Sequence, residues 1–179
     1  AIRIIAYRDL LRLIDNLEKL RNNLIVKSRQ FRRVLKSGRT HLQDAVPITL
    51  GQEFHAYATA IDKNTKRAME VLRYLIYLNI GSNAVGTGIN TPHGFRNKVV
   101  KHLRKLTKIN WKIARDPIEA TQSATDFLEV SEVLNLIAVD LTRIANDFRL
   151  LSSGPNTGLN EIKLPAVEPG SSIMPGKVN

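Results

Sequence analysis

The chain of 179 residues has the size of one domain, and 43% of its residues are hydrophobic, which is enough to build a sizeable core. It contains no cysteine, which excludes disulfides and thiolate metal sites and makes a cytoplasmic location the expectation. The 27 Lys and Arg residues outnumber the 16 Asp and Glu residues, and the net charge of +11 would suit either nucleic acid or a dianionic substrate. No segment has the pattern of a signal peptide or of a membrane span.

Apolar residues recur at helical spacing and do not alternate as they would in strands, so the sequence predicts an all-α fold. Helices are expected over residues 1–35, 51–79, 95–107 and 117–153. In the last of these, Asp116 can cap the start and Pro117 suits the first turn. The residues expected to be buried in the first helix are Leu10, Ile14, Leu17, Leu24 and Leu20.

Two of the predicted helices carry apolar seams. In residues 51–79 the seam alternates spacings of four and three residues through Phe54, Ala58, Ile61, Thr65, Ala68, Leu72 and Leu75. In residues 117–153 it repeats every seven residues through Phe127, Leu134, Leu141 and Phe148, and through Val130, Ile137, Ile144 and Leu151. A helix over 117–153 would be roughly 55 Å long, and a compact chain of this size is only about 40 Å across. The expectation is therefore a long-helix bundle completed by neighbouring chains.

Four connections join the helices, over residues 38–50, 80–94, 108–116 and 154–179. The glycine-rich connection at 80–94 lacks the lysine of a phosphate-binding loop, because Thr87 stands at that position. Its glycines are interpreted as turn residues with positive φ. The last connection is long and aperiodic, which is typical of a functional loop or lid. Residues 1–179 are interpreted as a single domain that carries this loop.

Two connections concentrate polar groups that suit an anion. Thr40 offers a hydroxyl and His41 an imidazole in the first connection. The last connection combines hydroxyls, a cation and an amide among glycines, through Ser171, Ser172, Lys177 and Asn179. From the residues alone, a structural role is the more common interpretation of a lone histidine such as His41. A flexible linker is as good an interpretation of the last connection as an anion site. No metal-ligand cluster is visible, so neither a metal nor an organic cofactor is expected.

The stretch GSSIMPGKVN at 170–179 resembles the signature of the fumarase/aspartase superfamily. Three further stretches match in order: GRTHLQDAVPITLGQEF at 38–54, AVGTGIN at 84–90 and IANDFRLLSSGPNTGLNEIKLP at 144–165. Members of this superfamily are more than twice as long as this chain. The resemblance implies that the chain is an internal fragment, the central helical domain without its flanking domains, and that it is inactive alone.

The resemblance implies a lyase that eliminates a small group from a dicarboxylic acid to leave fumarate. It also implies a homotetramer whose long helices form a central bundle and whose active sites take loops from three chains. Glu119–Gln122 and Gly158–Ile162 look more like the branch that releases ammonia from aspartate, and hydration of fumarate is the alternative. The non-enzyme alternative is a basic helical oligomer that binds nucleic acid through the lysines of residues 98–112.

The resemblance also assigns roles to the polar residues of the two connections. Ser171 is implied to be the base that removes the proton next to a substrate carboxylate. The residues implied to hold and neutralise that carboxylate are Ser172, Lys177 and Asn179. Thr40 and His41 are implied to meet the substrate from another loop, where His41 either binds a carboxylate or assists proton transfer.

Overall fold

A computed structural model describes residues 1–174 and residue 177 of the chain. The chain divides into two compact units, residues 1–138 and residues 139–179. In chain order the elements are α1 (Ile2–Gln30), β1 (Leu35–Thr40), β2 (Gln43–Thr49), α2 (Leu50–Leu75), β3 (Tyr77–Leu78), α3 (Phe95–Thr107), β4 (Lys112–Ile113), α4 (Glu119–Gln122) and α5 (Thr125–Leu151). Helices account for most of the chain, so the prediction of a helical fold class is confirmed. No helix among the described residues combines the length and the apolar character that a membrane crossing needs.

α1 and α2 pack along each other and form the main core of the first unit. α1 buries four of the five residues expected from the sequence, and Leu20 is half-buried. In α2, Ile61, Ala68 and Leu75 have no exposed surface. Burying each of the two larger side chains stabilises the fold by about 1.5–3 kcal/mol. The α2 seam is therefore largely buried within this chain, and it does not need a neighbouring subunit to cover it.

The start of α2 is fixed by a capping box. The Thr49 hydroxyl accepts a hydrogen bond from the Gln52 amide at 3.1 Å, and the Gln52 side chain accepts one from the Thr49 amide at 2.9 Å. Gly51 lies against the end of α1, where a Cβ would be 2.5 Å from the Ser28 carbonyl oxygen and 2.7 Å from Arg32 Cα. Only glycine allows the two helices to approach this closely.

The connection between α1 and α2 is an antiparallel β-hairpin, and the prediction of a loop over 38–50 was wrong on this point. β1 pairs with β2 from Leu35 opposite Thr49 to Thr40 opposite Gln43. Most of the strand residues are exposed or half-buried on both faces. Without one buried face there is no selection for alternating apolar residues, so the pattern that identifies strands is absent.

A smaller core surrounds Trp111, which is fully buried with Leu78, Val100 and Ile109. The indole Nε1 donates a hydrogen bond to the Thr107 hydroxyl at 2.8 Å. α3 contributes to this core with the bounds that the sequence predicts. The short parallel pairing of β3 with β4, which the sequence did not predict, closes the same region.

The single helix predicted over 117–153 is two helices in the structure. Asp116 does cap the chain, because its carboxylate accepts hydrogen bonds from the amides of Ile118 at 2.8 Å and Glu119 at 3.1 Å. The backbone becomes extended at Ser123, with ψ 135°, and the Ser123 hydroxyl then accepts a hydrogen bond from the Thr125 amide at 3.3 Å. α5 alone is roughly 40 Å long, so its length no longer requires neighbouring chains.

The apolar residues of α5 differ sharply in burial. Those that the structure buries are Val133, Ile137, Ile144 and Leu151. Those that it exposes are Leu128, Leu134, Leu136, Val139 and Leu150, with Val139 60% exposed. A soluble helix rarely exposes this many large apolar side chains along its length, and the exposed set is typical of an interface.

Candidate active site

The base of the β1–β2 hairpin is held firmly against both long helices. The Leu50 amide donates to the Val34 carbonyl at 2.9 Å, and the Gly51 amide donates to the Phe31 carbonyl at 3.1 Å. Lys36 of β1 lies 2.8 Å from the Glu53 carboxylate in the first turn of α2, and its side chain is only 7% exposed. This ion pair fixes the strand to the helix. Breaking it would leave the nearly buried lysine charge without a partner, which costs free energy.

The tip of the hairpin is a two-residue turn made by His41 and Leu42. Their φ angles are 49° and 60°, so both adopt the left-handed conformation that a type I′ turn requires. This conformation costs roughly 1–2 kcal/mol for each residue that has a Cβ. Strain of this kind is found preferentially where a side chain must be presented in a fixed direction.

Thr40 and His41 are both exposed at this tip. Across residues 1–174 and 177, no hydrogen bond from another residue reaches either side chain. The Thr40 hydroxyl and the His41 imidazole are therefore neighbouring, accessible groups at the tip of the hairpin.

The glycines of the connection at 80–94 are turn residues with positive φ, as the sequence predicts. Gly81, Gly86 and Gly88 have φ angles of 70°, 98° and 73°. A Cβ on Gly86 would lie 2.5 Å from Ile118 Cα, so the connection packs directly on the turn that precedes α4. The glycines serve a close backbone crossing between two connections.

In the second unit, the chain after α5 turns back onto the end of that helix. The Glu161 amide donates to the Leu151 carbonyl at 2.8 Å, and the Asn160 amide donates to the Ser153 carbonyl at 2.9 Å. A Cβ on Gly158 would lie 2.3 Å from the Ser153 carbonyl carbon, so this return is also a close crossing. The described part of the connection contains no helix or strand, as expected. Its first third is held by backbone hydrogen bonds to the end of α5.

The residues expected to carry the chemistry lie further along the same connection. The Ser171 hydroxyl is half-buried and accepts a hydrogen bond from the Ile173 amide at 3.3 Å. The Gly170 amide donates to the Lys177 carbonyl at 3.0 Å, which brings the ends of the turn together. Ser172 and Lys177 are exposed. Asn179, the fourth residue expected here, lies outside the described residues.

The two groups of residues can perform complementary chemistry. Hydroxyls and backbone amides beside a lysine stabilise a carboxylate that gains negative charge during a reaction. A hydroxyl and an imidazole can bind a second anionic group or carry a proton. In the part of the chain that the structure describes, no three His, Cys, Asp or Glu side chains gather in a way that could hold a metal ion. No sequence signal marks the strained turn, since His41-Leu42 is not one of the Asn-Gly, Asp-Gly or Gly-Gly pairs typical of it.

The sequence matches the family described as lyase over residues 1–179. The chain belongs to the fumarase/aspartase superfamily, as its motifs indicated.

Named relatives are close in sequence and in structure. An aspartate ammonia-lyase from Helicobacter pylori is 46% identical over 179 residues, which are the whole of this chain and 38% of that protein. A class II fumarate hydratase from Haemophilus influenzae is 46% identical over 180 residues, covering 100% of this chain and 39% of that protein. A crystal structure of a fumarate lyase:delta crystallin from Brucella melitensis bound to cobalt is 45% identical and has a TM-score of 0.88, over 98% of this chain and 38% of that one.

Two facts follow from these relationships. The chain spans less than two fifths of the length of the curated relatives named here. Its overall identity to an ammonia-lyase equals its identity to a hydratase, so identity alone does not separate the two activities. The relatives give no support to the nucleic-acid alternative.

Proposed function

We propose that the protein carrying this chain is a lyase that eliminates ammonia from L-aspartate to give fumarate, in a reversible anti-elimination without a metal or organic cofactor. The observation that carries the proposal is the match of the whole chain to the lyase family. It is supported by the Ser171 hydroxyl, which accepts a hydrogen bond from the Ile173 amide, and by the backbone contact between Gly170 and Lys177. The residues that resemble the aspartate branch, Glu119–Gln122 and Gly158–Ile162, support aspartate as the substrate.

Ser171 is the base in this mechanism. It removes a proton from the carbon next to a carboxylate, and that carboxylate becomes a doubly charged intermediate before the amino group leaves on the opposite face. Because such a carbon is a very weak acid, stabilising the intermediate is the main catalytic task. Amides and cations around the serine must activate it by stabilising its deprotonated form when the loop closes on substrate.

The other residues of this loop bind the substrate. Ser172, Lys177 and Asn179 hold and neutralise the carboxylate that gains charge. The exposed lysine supplies the positive charge.

Thr40 and His41 meet the substrate from the hairpin. Both side chains are exposed at the tip of a strained turn, and this supports their contact with a ligand at the surface of the chain. His41 either binds a carboxylate or assists proton transfer to the leaving group.

Assembly into a homotetramer completes the proposal. The exposed apolar residues of α5 support packing against long helices of other subunits. A site built from the loops of several chains also accounts for the exposed side chains of Thr40 and His41, which accept or donate no hydrogen bond among the described residues. The cysteine-free sequence supports a cytoplasmic location.

Hydration of fumarate to malate is the second candidate, and the 46% identity to a hydratase favours it. The two are separated by assaying the full-length protein with L-aspartate and L-malate side by side and following the ultraviolet absorbance of fumarate. Fumarate from aspartate alone supports the ammonia-lyase, and fumarate from malate alone assigns the hydratase. If the full-length protein forms fumarate from neither substrate, the lyase proposal fails.

A further inference from the structure

The β1–β2 hairpin contains a β-bulge just before its tip. Gly38 pairs with Val46 and Arg39 pairs with Asp44, so Ala45 has no partner on β1. A Cβ on Gly38 would lie 2.7 Å from the Val46 carbonyl oxygen, which shows how closely the strands approach at this point. Bulges of this kind redirect side chains and are frequent next to active sites.

The bulge decides which residues form the turn. With it, Thr40 faces Gln43 and the turn has two residues, both strained. Without it, a regular register would place Thr40 opposite Asp44 and leave a three-residue turn over 41–43. Three-residue turns are common in hairpins and need only one left-handed residue. The regular register is therefore a realistic competitor, and something must select against it.

A polar cluster made of Ser37, Arg39 and Asp44, the Asp44 cluster, spans the bulge. The Ser37 hydroxyl donates a hydrogen bond to the Asp44 carboxylate at 2.8 Å, and Arg39 Nε lies 3.6 Å from the same oxygen. Ser37 and Asp44 are not opposite each other, because Ser37 pairs with Pro47. The hydrogen bond thus joins residues on the two sides of the bulge. In a regular register Asp44 would pair with Thr40 and point to the opposite face from Ser37, so this hydrogen bond favours the bulged register.

We propose that Asp44 is a positioning residue, which through Ser37 and Arg39 locks the bulged register and so places Thr40 and His41. The regular register would put the Asp44 carboxylate opposite Thr40, where it would repel a dicarboxylate approaching that hydroxyl. The inference deepens the proposed function, and it rests on that function only for the kinetic part of its test.

The test uses the full-length protein with three variants and one control. Ser37→Ala removes the hydrogen bond across the bulge, Asp44→Ala removes both contacts, and Asp44→Asn keeps an acceptor for Ser37 without the charge. Asp9→Ala is the matched control, because Asp9 forms an exposed ion pair with Arg12 at 3.4 Å on α1. Amide hydrogen exchange over residues 35–49 reports the register, and steady-state kinetics report its consequence.

Loss of one such hydrogen bond should accelerate exchange near the turn about fivefold to tenfold in Ser37→Ala and Asp44→Ala. The KM for the dicarboxylate should rise by a similar factor with a smaller change in kcat, because a misplaced Thr40 weakens binding in the ground state. A loss of folded protein would instead lower kcat and leave KM unchanged. Asp44→Asn should remain within about twofold of the unaltered protein, since its hydrogen bond survives.

Unchanged exchange in both alanine variants overturns the inference, whether or not the protein has activity. Faster exchange with an unchanged KM in an active enzyme also overturns it, since the register would then not matter to substrate. If the unaltered protein converts neither aspartate nor malate, the proposed function fails, and the exchange measurement still decides whether the Asp44 cluster locks the turn.

Discussion

Replacing Gly51 by Ala tests the crossing of α1 and α2 that carries the hairpin. The added methyl group would meet three backbone atoms, the Ser28 carbonyl oxygen at 2.5 Å and the Arg32 Cα and nitrogen at 2.7 and 2.8 Å. Backbone atoms cannot move aside as a flexible side chain can, so the helices must separate. Overpacking of this kind costs about 1–3 kcal/mol.

Two smaller effects enter the balance. Separation lengthens the hydrogen bond from the Ser28 hydroxyl to the Gly51 carbonyl, now 2.8 Å, which contributes about 1 kcal/mol. Alanine's higher helix propensity offsets at most about 1 kcal/mol. The expected net loss is therefore about 1–3 kcal/mol, or a melting temperature lower by roughly 2–12 °C at a fixed protein concentration.

Thermal and urea unfolding of the full-length protein measure this change, and Gly94→Ala is the control. Gly94 has φ 76° and no atom within 4 Å of an added Cβ, so its variant suffers only backbone strain of about 1–2 kcal/mol. Gly51→Ala should also accelerate exchange across residues 35–49, and Gly94→Ala should not. A Gly51→Ala protein as stable as the unaltered one would refute the close crossing.

Three further predictions concern catalysis, assembly and pH. In the full-length enzyme, Ser171→Ala should abolish turnover and preserve dicarboxylate binding, whereas Lys177→Ala should damage both; near-normal turnover of the serine variant in steady-state assays would remove it as the base. Leu134→Asp should dissociate the proposed homotetramer without unfolding its subunits, because Leu134 is 45% exposed in the isolated chain; light scattering that shows a tetramer in both the variant and the unaltered protein would contradict this. The hydrogen bond from Lys66 holds the pKa of Asp62 below its ordinary value of 3.8. Since the pKa is lowered on folding, the charge of Asp62 stabilises the fold above that value and loses its effect as pH falls through the lower folded pKa. Asp62→Asn should cost about 0.2–1 kcal/mol near neutral pH, and urea unfolding should show the difference shrinking below about pH 4; a difference that grows in acid would reverse the assigned sign.

The sequence predicted the elements that bury one face. α3 has the expected bounds, and α2 begins one residue before the expected start. The hairpin was missed because most of its residues are exposed or half-buried on both faces, so no alternation marks it. The break at Ser123 was missed because the Asp116 cap and the heptad pattern after it both favoured a continuous helix.

For the candidate site, residue types and motifs located Thr40, His41 and the Ser171 loop. Residue types and motifs could not predict the backbone geometry that exposes these side chains. The left-handed turn at His41 and Leu42 arises from a bulge and from contacts across it, and neither His nor Leu signals such a turn by its own preference. Long-range constraints of this kind become visible only when the strands are paired.

The buried indole of Trp111 makes the chain convenient to follow in solution. It is the one tryptophan in the sequence, and it lies edge-on to Tyr7 with 5.6 Å between ring centres. Its emission should therefore report the loosening of the small core around it and shift to longer wavelength when water enters. Amide hydrogen exchange over residues 35–49 would report the unfolding of the hairpin, which is a different part of the first unit. Comparing the two signals during unfolding would show whether the loop that presents His41 opens before the body that supports it.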